Sequence, residues 1–170
     1  VSKFLGNKLW QNLVIDHLIG DVIDFGFDGI NIDLEEIPPH LYPRYLEFLN
    51  EVAKRATPLG IEISVDLPLD MSVDLISQVA EVSHFVVLMA YDEHNRHSKP
   101  GPVASLPWLD KNLQKMQGLS SEVLSKIALG VATYGYDWAP GEEVEAKSFW
   151  EIMDIINTRG LSKADVRFEK

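Results

Sequence analysis

Strand-like and helix-like segments take turns along this chain, and that order constrains the fold more than any single composition value. FDGINIDLE (27–35), IEISVDL (61–67), HFVVLMAY (84–91) and IALGVATY (127–134) read as strands. Between them lie helical stretches. Residues 7–25 carry Leu9, Leu13, Leu18 and Val22 at near-helical spacing, with Gly26 suited to a stop. Pro38 and Pro39 open a second helix through Tyr42, Tyr45, Leu46, Phe48, Leu49 and Val52, which closes before Pro58 and Gly60. Further helices are expected over 73–82, 106–117, 120–126 and 145–158. Strands separated by helical crossovers predict a parallel sheet, because parallel neighbours need a long return connection. A doubly wound sheet and a barrel both satisfy that order.

Side-chain parity bears on the choice. In FDGINIDLE, Ile30, Ile32 and Leu34 fall on one face and Asn31, Asp33 and Glu35 on the other. IEISVDL repeats the device, with Ile61, Ile63, Val65 and Leu67 opposite Glu62, Ser64 and Asp66. A sheet covered by helices on both faces wants both sides apolar. A (β/α)₈ barrel instead tolerates a polar interior toward its C-terminal mouth, where active sites of that architecture sit. The expected fold class is therefore α/β, a (β/α)₈ TIM barrel that is incomplete at about four strands; an edge strand with one solvated face would alternate in the same way.

Composition removes several function classes. With 26 acidic against 15 basic residues the net charge is −11, which repels phosphate backbones, so no nucleic-acid partner is expected. A neutral glycan carries no such penalty. No apolar run approaches the roughly 20 residues of a membrane span, and the start VSKFLGNKLW lacks the pattern of a signal peptide. Cysteine is absent, which excludes disulfides, thiolate nucleophiles and cysteine-ligated zinc. His94 and His97, with Asp92 and Glu93, fit no standard ligand spacing, and no metal or cofactor is expected. No linker, low-complexity tract or close repeat interrupts the 170 residues, which read as one domain.

Asp33 and Glu35 lie two residues apart on one strand, so their carboxylates point the same way, roughly 7 Å apart. Two such groups resist simultaneous ionisation, an arrangement in which one carboxyl can serve as a proton donor while the other stays anionic. A solvated strand face is the bland alternative. FDGINIDLE resembles the signature of glycoside hydrolase family 18, the chitinase-type enzymes, in which an Asp-Gly pair leads into alternating acids ending in the catalytic Glu. The resemblance implies Glu35 as general acid/base and Asp33 as the group that orients the substrate's N-acetyl arm. Asn31 resembles the first inward acid. It further implies a retaining, substrate-assisted cleavage in which the acetamido oxygen attacks its own anomeric carbon.

A second element, MAYD, is similar to the family's Met-x-Tyr-Asp, with Met89 and Tyr91 on one face and Asp92 at the strand end. By that resemblance Tyr91 hydrogen-bonds the acetamido group and Asp92 binds the sugar near the cleaved bond. MAYDEHNRHSKPGPVASLPWLDKNL and GVATYGYDW look most like modules of bacterial proteins fused to a polysaccharide deacetylase and a glycosyltransferase. Tyr134 and Trp138 are candidate sugar-stacking residues, though core packing accounts for them equally well. Glu36, Glu142, Glu143 and Glu145 read as solvated or helix-starting charges, whereas Asp66 sits where it could reach substrate.

By family order the four strands resemble strands four to seven, with ADVRFEK approaching the next. The chain, 1–170, then resembles a single partial family 18 catalytic domain from a larger protein acting outside the cytoplasm, on a polysaccharide that contains N-acetylglucosamine. An incomplete barrel leaves two sheet edges open, inviting a homo-oligomer paired through them and predicting weak activity for the chain alone. A non-catalytic chitinase-like lectin and an inactive structural fragment are the competing readings.

Overall fold

A computed structural model describes residues 1–139, 141, 143–165 and 167. Glu142, and Val166 with 168–170 of the ADVRFEK segment, lie outside the described residues. In chain order the elements are α1 (Ser2–Leu5), α2 (Lys8–Phe25), β1 (Gly29–Ile32), α3 (Tyr42–Ala56), β2 (Glu62–Pro68), α4 (Val73–Val82), β3 (Phe85–Met89), α5 (Leu106–Lys115), α6 (Ser121–Ser125), β4 (Ile127–Gly130), β5 (Tyr134–Asp137), β6 (Glu145–Ser148) and α7 (Phe149–Thr158).

The four strands β1 to β4 form one sheet in the order β1-β2-β3-β4. β1 and β2 run parallel with Gly29 level with Glu62 and Ile32 level with Val65, and β2 and β3 run parallel with Ser64 level with Phe85 and Pro68 level with Met89. Val86 N–H donates to Lys126 O at 2.8 Å and Ala90 N–H to Gly130 O at 2.9 Å, so β4 ascends alongside β3 in the same sense. β1 and β4 are the edges, and among the described residues no closed barrel forms.

Residue contacts divide the chain into two compact units, Val1–Met89 with Gly118–Leu129, and Ala90–Gln117 with Gly130–Lys170. The first holds the core. Of the apolar positions read on α3, Tyr45, Phe48, Leu49 and Val52 are buried, joined by Ala56, while Tyr42 and Leu46 are half-buried. They meet α4 and the inner strand β2, where Ile63, Val65 and Leu67 are buried on one face, while on the other Ser64 is also buried and Asp66 is half-buried. Alternation holds on β1 as well: Ile30 and Ile32 are buried while Asn31 is exposed. Lys126 closes the end of α4 by donating to the carbonyls of Ala80 and Ser83 at 2.6 and 3.1 Å, satisfying acceptors that a helix end leaves free.

On α2 the spacing misled. Its ends are as read, with the Asn7 side chain accepting from Trp10 N–H and Gly26 in the left-handed region at φ 68°. The buried positions, however, are Gln11, Ile15 and Val22, while Leu9 and Leu13 stay exposed. KLWQNLVIDHLIG is apolar nearly all round, so periodicity alone cannot choose a face. Gln11 is accommodated because its amide donates to the carbonyls of Phe4 and Leu5 at 3.2 and 3.0 Å.

In the second unit two expected elements divide. The strand expected over 127–134 ends at Gly130, and a separate strand, β5, begins at Tyr134 and pairs antiparallel with β6. The helix expected from 145 starts only at Phe149, because 145–148 form β6 and Ser148 caps α7 in a reciprocal box with Glu151. Glu145 is therefore a strand residue rather than a helix-starting charge. The Ser-x-x-Glu spacing carried this start signal in the sequence.

Gly29 is fixed by space. A Cβ there would lie 2.5 Å from the Glu62 carbonyl oxygen, across the β1–β2 ladder. Gly29→Ala is expected to push β1 off β2 and lower stability by about 1–3 kcal/mol, read as a drop in the urea midpoint at unchanged slope.

Candidate active site

β1 ends at Ile32, so Asp33 and Glu35 follow it at the C-terminal end of the parallel sheet rather than within the ladder. Both are exposed, on a chain segment whose next residue, Glu36, holds φ 53°. A non-glycine residue in the left-handed region costs about 1–2 kcal/mol, and such strain persists where the surroundings over-determine it. Glu35 lines a cavity of about 20 Å³ together with Leu34, Tyr42, Tyr45, Leu67 and Met71, a space that accommodates a water-sized group.

Behind the two acids the polar face is tied across strands. Asn31 Nδ2 donates to Asp66 Oδ2 at 2.9 Å, and Ser64 Oγ donates to Asn31 Oδ1 at 2.6 Å. The register causes this: Asn31 is level with Ser64, and Asp66 stands two residues further on the same face of β2. Tyr45 is fully buried, and its hydroxyl has no hydrogen-bond partner among the described residues. Burial, and after it the negative charges of Asp33 and Asp66, push its phenol above the ordinary tyrosine range. Sequence reasoning took Tyr45 only as a core position of α3. Met89, the last residue of β3, is half-buried.

The remaining predicted residues belong to the second unit, where the structure gathers them round one carboxylate. Asp92 holds φ 64° directly after Tyr91, and its Oδ1 accepts from the Tyr134 hydroxyl at 2.5 Å and the Tyr136 hydroxyl at 3.1 Å. The Tyr91 and Tyr134 rings meet edge to face at 6.1 Å, Tyr134 and Tyr136 at 5.6 Å, and Tyr136 and Trp138 at 5.5 Å. Aromatic faces with one polar end suit a pyranose, whose ring presents an apolar side and a hydroxyl rim. The Trp138 indole N–H is buried with no partner among the described residues. Tyr136 was missed, although Tyr134, Tyr136 and Trp138 recur at the two-residue period that places side chains on one face of a strand.

His94 serves the loop. Its Nδ1 lies 3.0 Å from Pro102 O, and a Cβ at Gly101 would meet its ring at 2.5 Å. Glu93 accepts from the Ser105 N–H and hydroxyl at 2.7 and 3.0 Å, anchoring the start of α5.

A parallel sheet with helical crossovers and acids following a strand at its C-terminal end fits the α/β architecture whose active sites sit at that end. The family model for Glycosyl hydrolases family 18 matches residues 2–167, and the chain belongs to that family. It is 29% identical to the Uncharacterized glycosylase YvbX of Bacillus subtilis (strain 168), in an alignment that takes in 99% of this chain and 51% of that protein. The chain therefore spans about half the length of this relative. Among solved structures it resembles the chitinase from Chromobacterium violaceum (TM-score 0.77, 21% identity, 89% of this chain and 50% of that one). It also resembles the Bacillus cereus spore cortex-lytic enzyme SleL (TM-score 0.78, 23% identity, 94% and 39%). These two likenesses concern the fold.

Burial raises the Tyr134 phenol first, and its hydrogen bond to Asp92 and that carboxylate's charge raise it further, so it stays protonated above its ordinary value of 10.0. Asp92→Asn removes the charge and leaves the burial. The phenol is then expected to ionise at lower pH, back toward the ordinary value, in an ultraviolet absorbance titration of Tyr134; an unchanged titration would show that Asp92 has no hold on it.

Proposed function

We propose that the chain carries the acid-bearing part of a retaining glycosidase site that cleaves β-linked N-acetylglucosamine polymers. The observation that carries the reading is the pair Asp33 and Glu35, set on alternate positions just past β1, within a family match that covers nearly all of the chain. Glu35 donates its proton to the glycosidic oxygen as the bond from that oxygen to the anomeric carbon breaks. The acetamido oxygen of the same sugar forms the new bond to that carbon, giving an oxazolinium and making an enzyme nucleophile unnecessary. Water then attacks the anomeric carbon, breaking its bond to the acetamido oxygen, while Glu35 takes a proton from that water, so the configuration is retained.

In this reading Asp33 holds the acetamido N–H and offsets the positive charge that develops on the ring. Tyr91 hydrogen-bonds the acetamido group, and Asn31, Met89, Asp92, Tyr134 and Trp138 bind the sugar. Neighbours named as a chitinase and a spore cortex-lytic enzyme favour chitin-like or cell-envelope glycans as the polymer. Such polymers lie outside the cytoplasm, and no described helix is long and apolar enough to cross a membrane. The presence of Glu35 speaks against a lectin.

Hydrolysis of a fluorogenic chito-oligosaccharide by the full-length parent protein tests this. Glu35→Gln keeps the shape and removes the acid, and is expected to lower kcat by about 10²–10⁴-fold, while the deacetylated oligosaccharide is not cleaved. A wild-type protein that binds the sugar and releases nothing would replace the glycosidase reading with the lectin.

A further inference from the structure

Asp66 is the acid of the polar sheet face that the roles above leave unused. One of its oxygens accepts from the Asn31 amide; the other is buried and has no partner among the described residues. Ser64 donates to the oxygen end of the same Asn31 carboxamide. With one N–H held by Asp66 and the carbonyl held by Ser64, the carboxamide cannot turn over. Its second N–H becomes a fixed donor on the face that Asn31 shares with Asp33, two residues on.

Stability does not account for this arrangement. The Asp66 oxygen and the Tyr45 hydroxyl are both buried polar atoms without a partner among the described residues. Apolar groups of the same shape would serve a core better. Burial first, and after it the charges of Asp33 and Asp66, raise the Tyr45 phenol.

We propose that Asp66 is a positioning residue of the glycosidase site: it locks the Asn31 carboxamide between β1 and β2 so that Asn31 presents a fixed donor beside Asp33. The assignment rests on the glycosidase reading, and it adds a cross-strand residue that acts on the site without touching the reacting atoms.

Two replacements in the full-length protein separate positioning from bulk. Asp66→Leu keeps the volume and removes the acceptor; it is expected to lower kcat on the chito-oligosaccharide at least tenfold with KM within twofold. Asp66→Asn keeps an oxygen that can accept the same hydrogen bond, and is expected to stay within threefold of wild type. Asp66→Leu with wild-type kcat, or the two variants equally impaired, would overturn the proposal.

Asn31→Ala, at an exposed side chain, keeps the test open if Asp66→Leu fails to fold. Combined with Asp66→Ala it should lose no more than either single change, as groups that act through one another do, whereas additive losses would overturn it. The side-chain amide resonances of Asn31 read the holding without any hydrolysis. Slow hydrogen exchange in wild type and Asp66→Asn, lost in Asp66→Leu, supports the lock, and exchange that is the same in all three sinks it. A wild type that cleaves nothing while the amide behaves as expected would put the failure on the glycosidase reading instead.

Discussion

The parallel ladder between β1 and β2 is the constraint on which the acidic face depends. Parallel pairing in register sets Asn31 level with Ser64 and Ile32 level with Val65, and the two-residue period then turns the apolar members toward the helices, α2 against β1 and α3 against β2, and the polar members to the other side. A slip of one residue would bury Asn31 and expose Ile32. Gly29 guards this register at its start, because no side chain fits against the Glu62 carbonyl. One pairing thus fixes both the core and the face on which the acids stand.

Chemistry collects where the ladder stops. Asp33 and Glu35 follow β1, and Tyr91 and Asp92 follow β3, beyond the last ladder positions, where carboxylates and phenols can reach solvent and substrate without breaking sheet hydrogen bonds. The two positive φ values outside glycine, at Glu36 and Asp92, fall in these same segments among the described residues. Strain of this kind is retained where neighbouring contacts dictate the backbone, and here it sits beside the candidate acid and beside the carboxylate that collects two phenols.

The legible part of the sequence was the part governed by period. α3, with apolar residues at 45, 48, 49, 52 and 56, and α4, read over its full span, came out as spacing requires. β5 and β6 did not, because an apolar run such as IALGVATY shows no point at which one ladder partner ends and another begins. α2 resisted for a related reason: with apolar residues on every side, its buried face was chosen by what packs against it.

The sequence by itself determined the alternation of strands and helices, the oily and acidic faces, and the order of the two motifs that mark the family, since all of these are written in local period and spacing. Only the tertiary structure decided which side chains share a hydrogen bond across strands. Asp66 meeting Asn31, and Tyr134 and Tyr136 sharing Asp92, join residues 35 to 44 positions apart. Their separation along the chain carries no local signal, and register and packing alone bring them together.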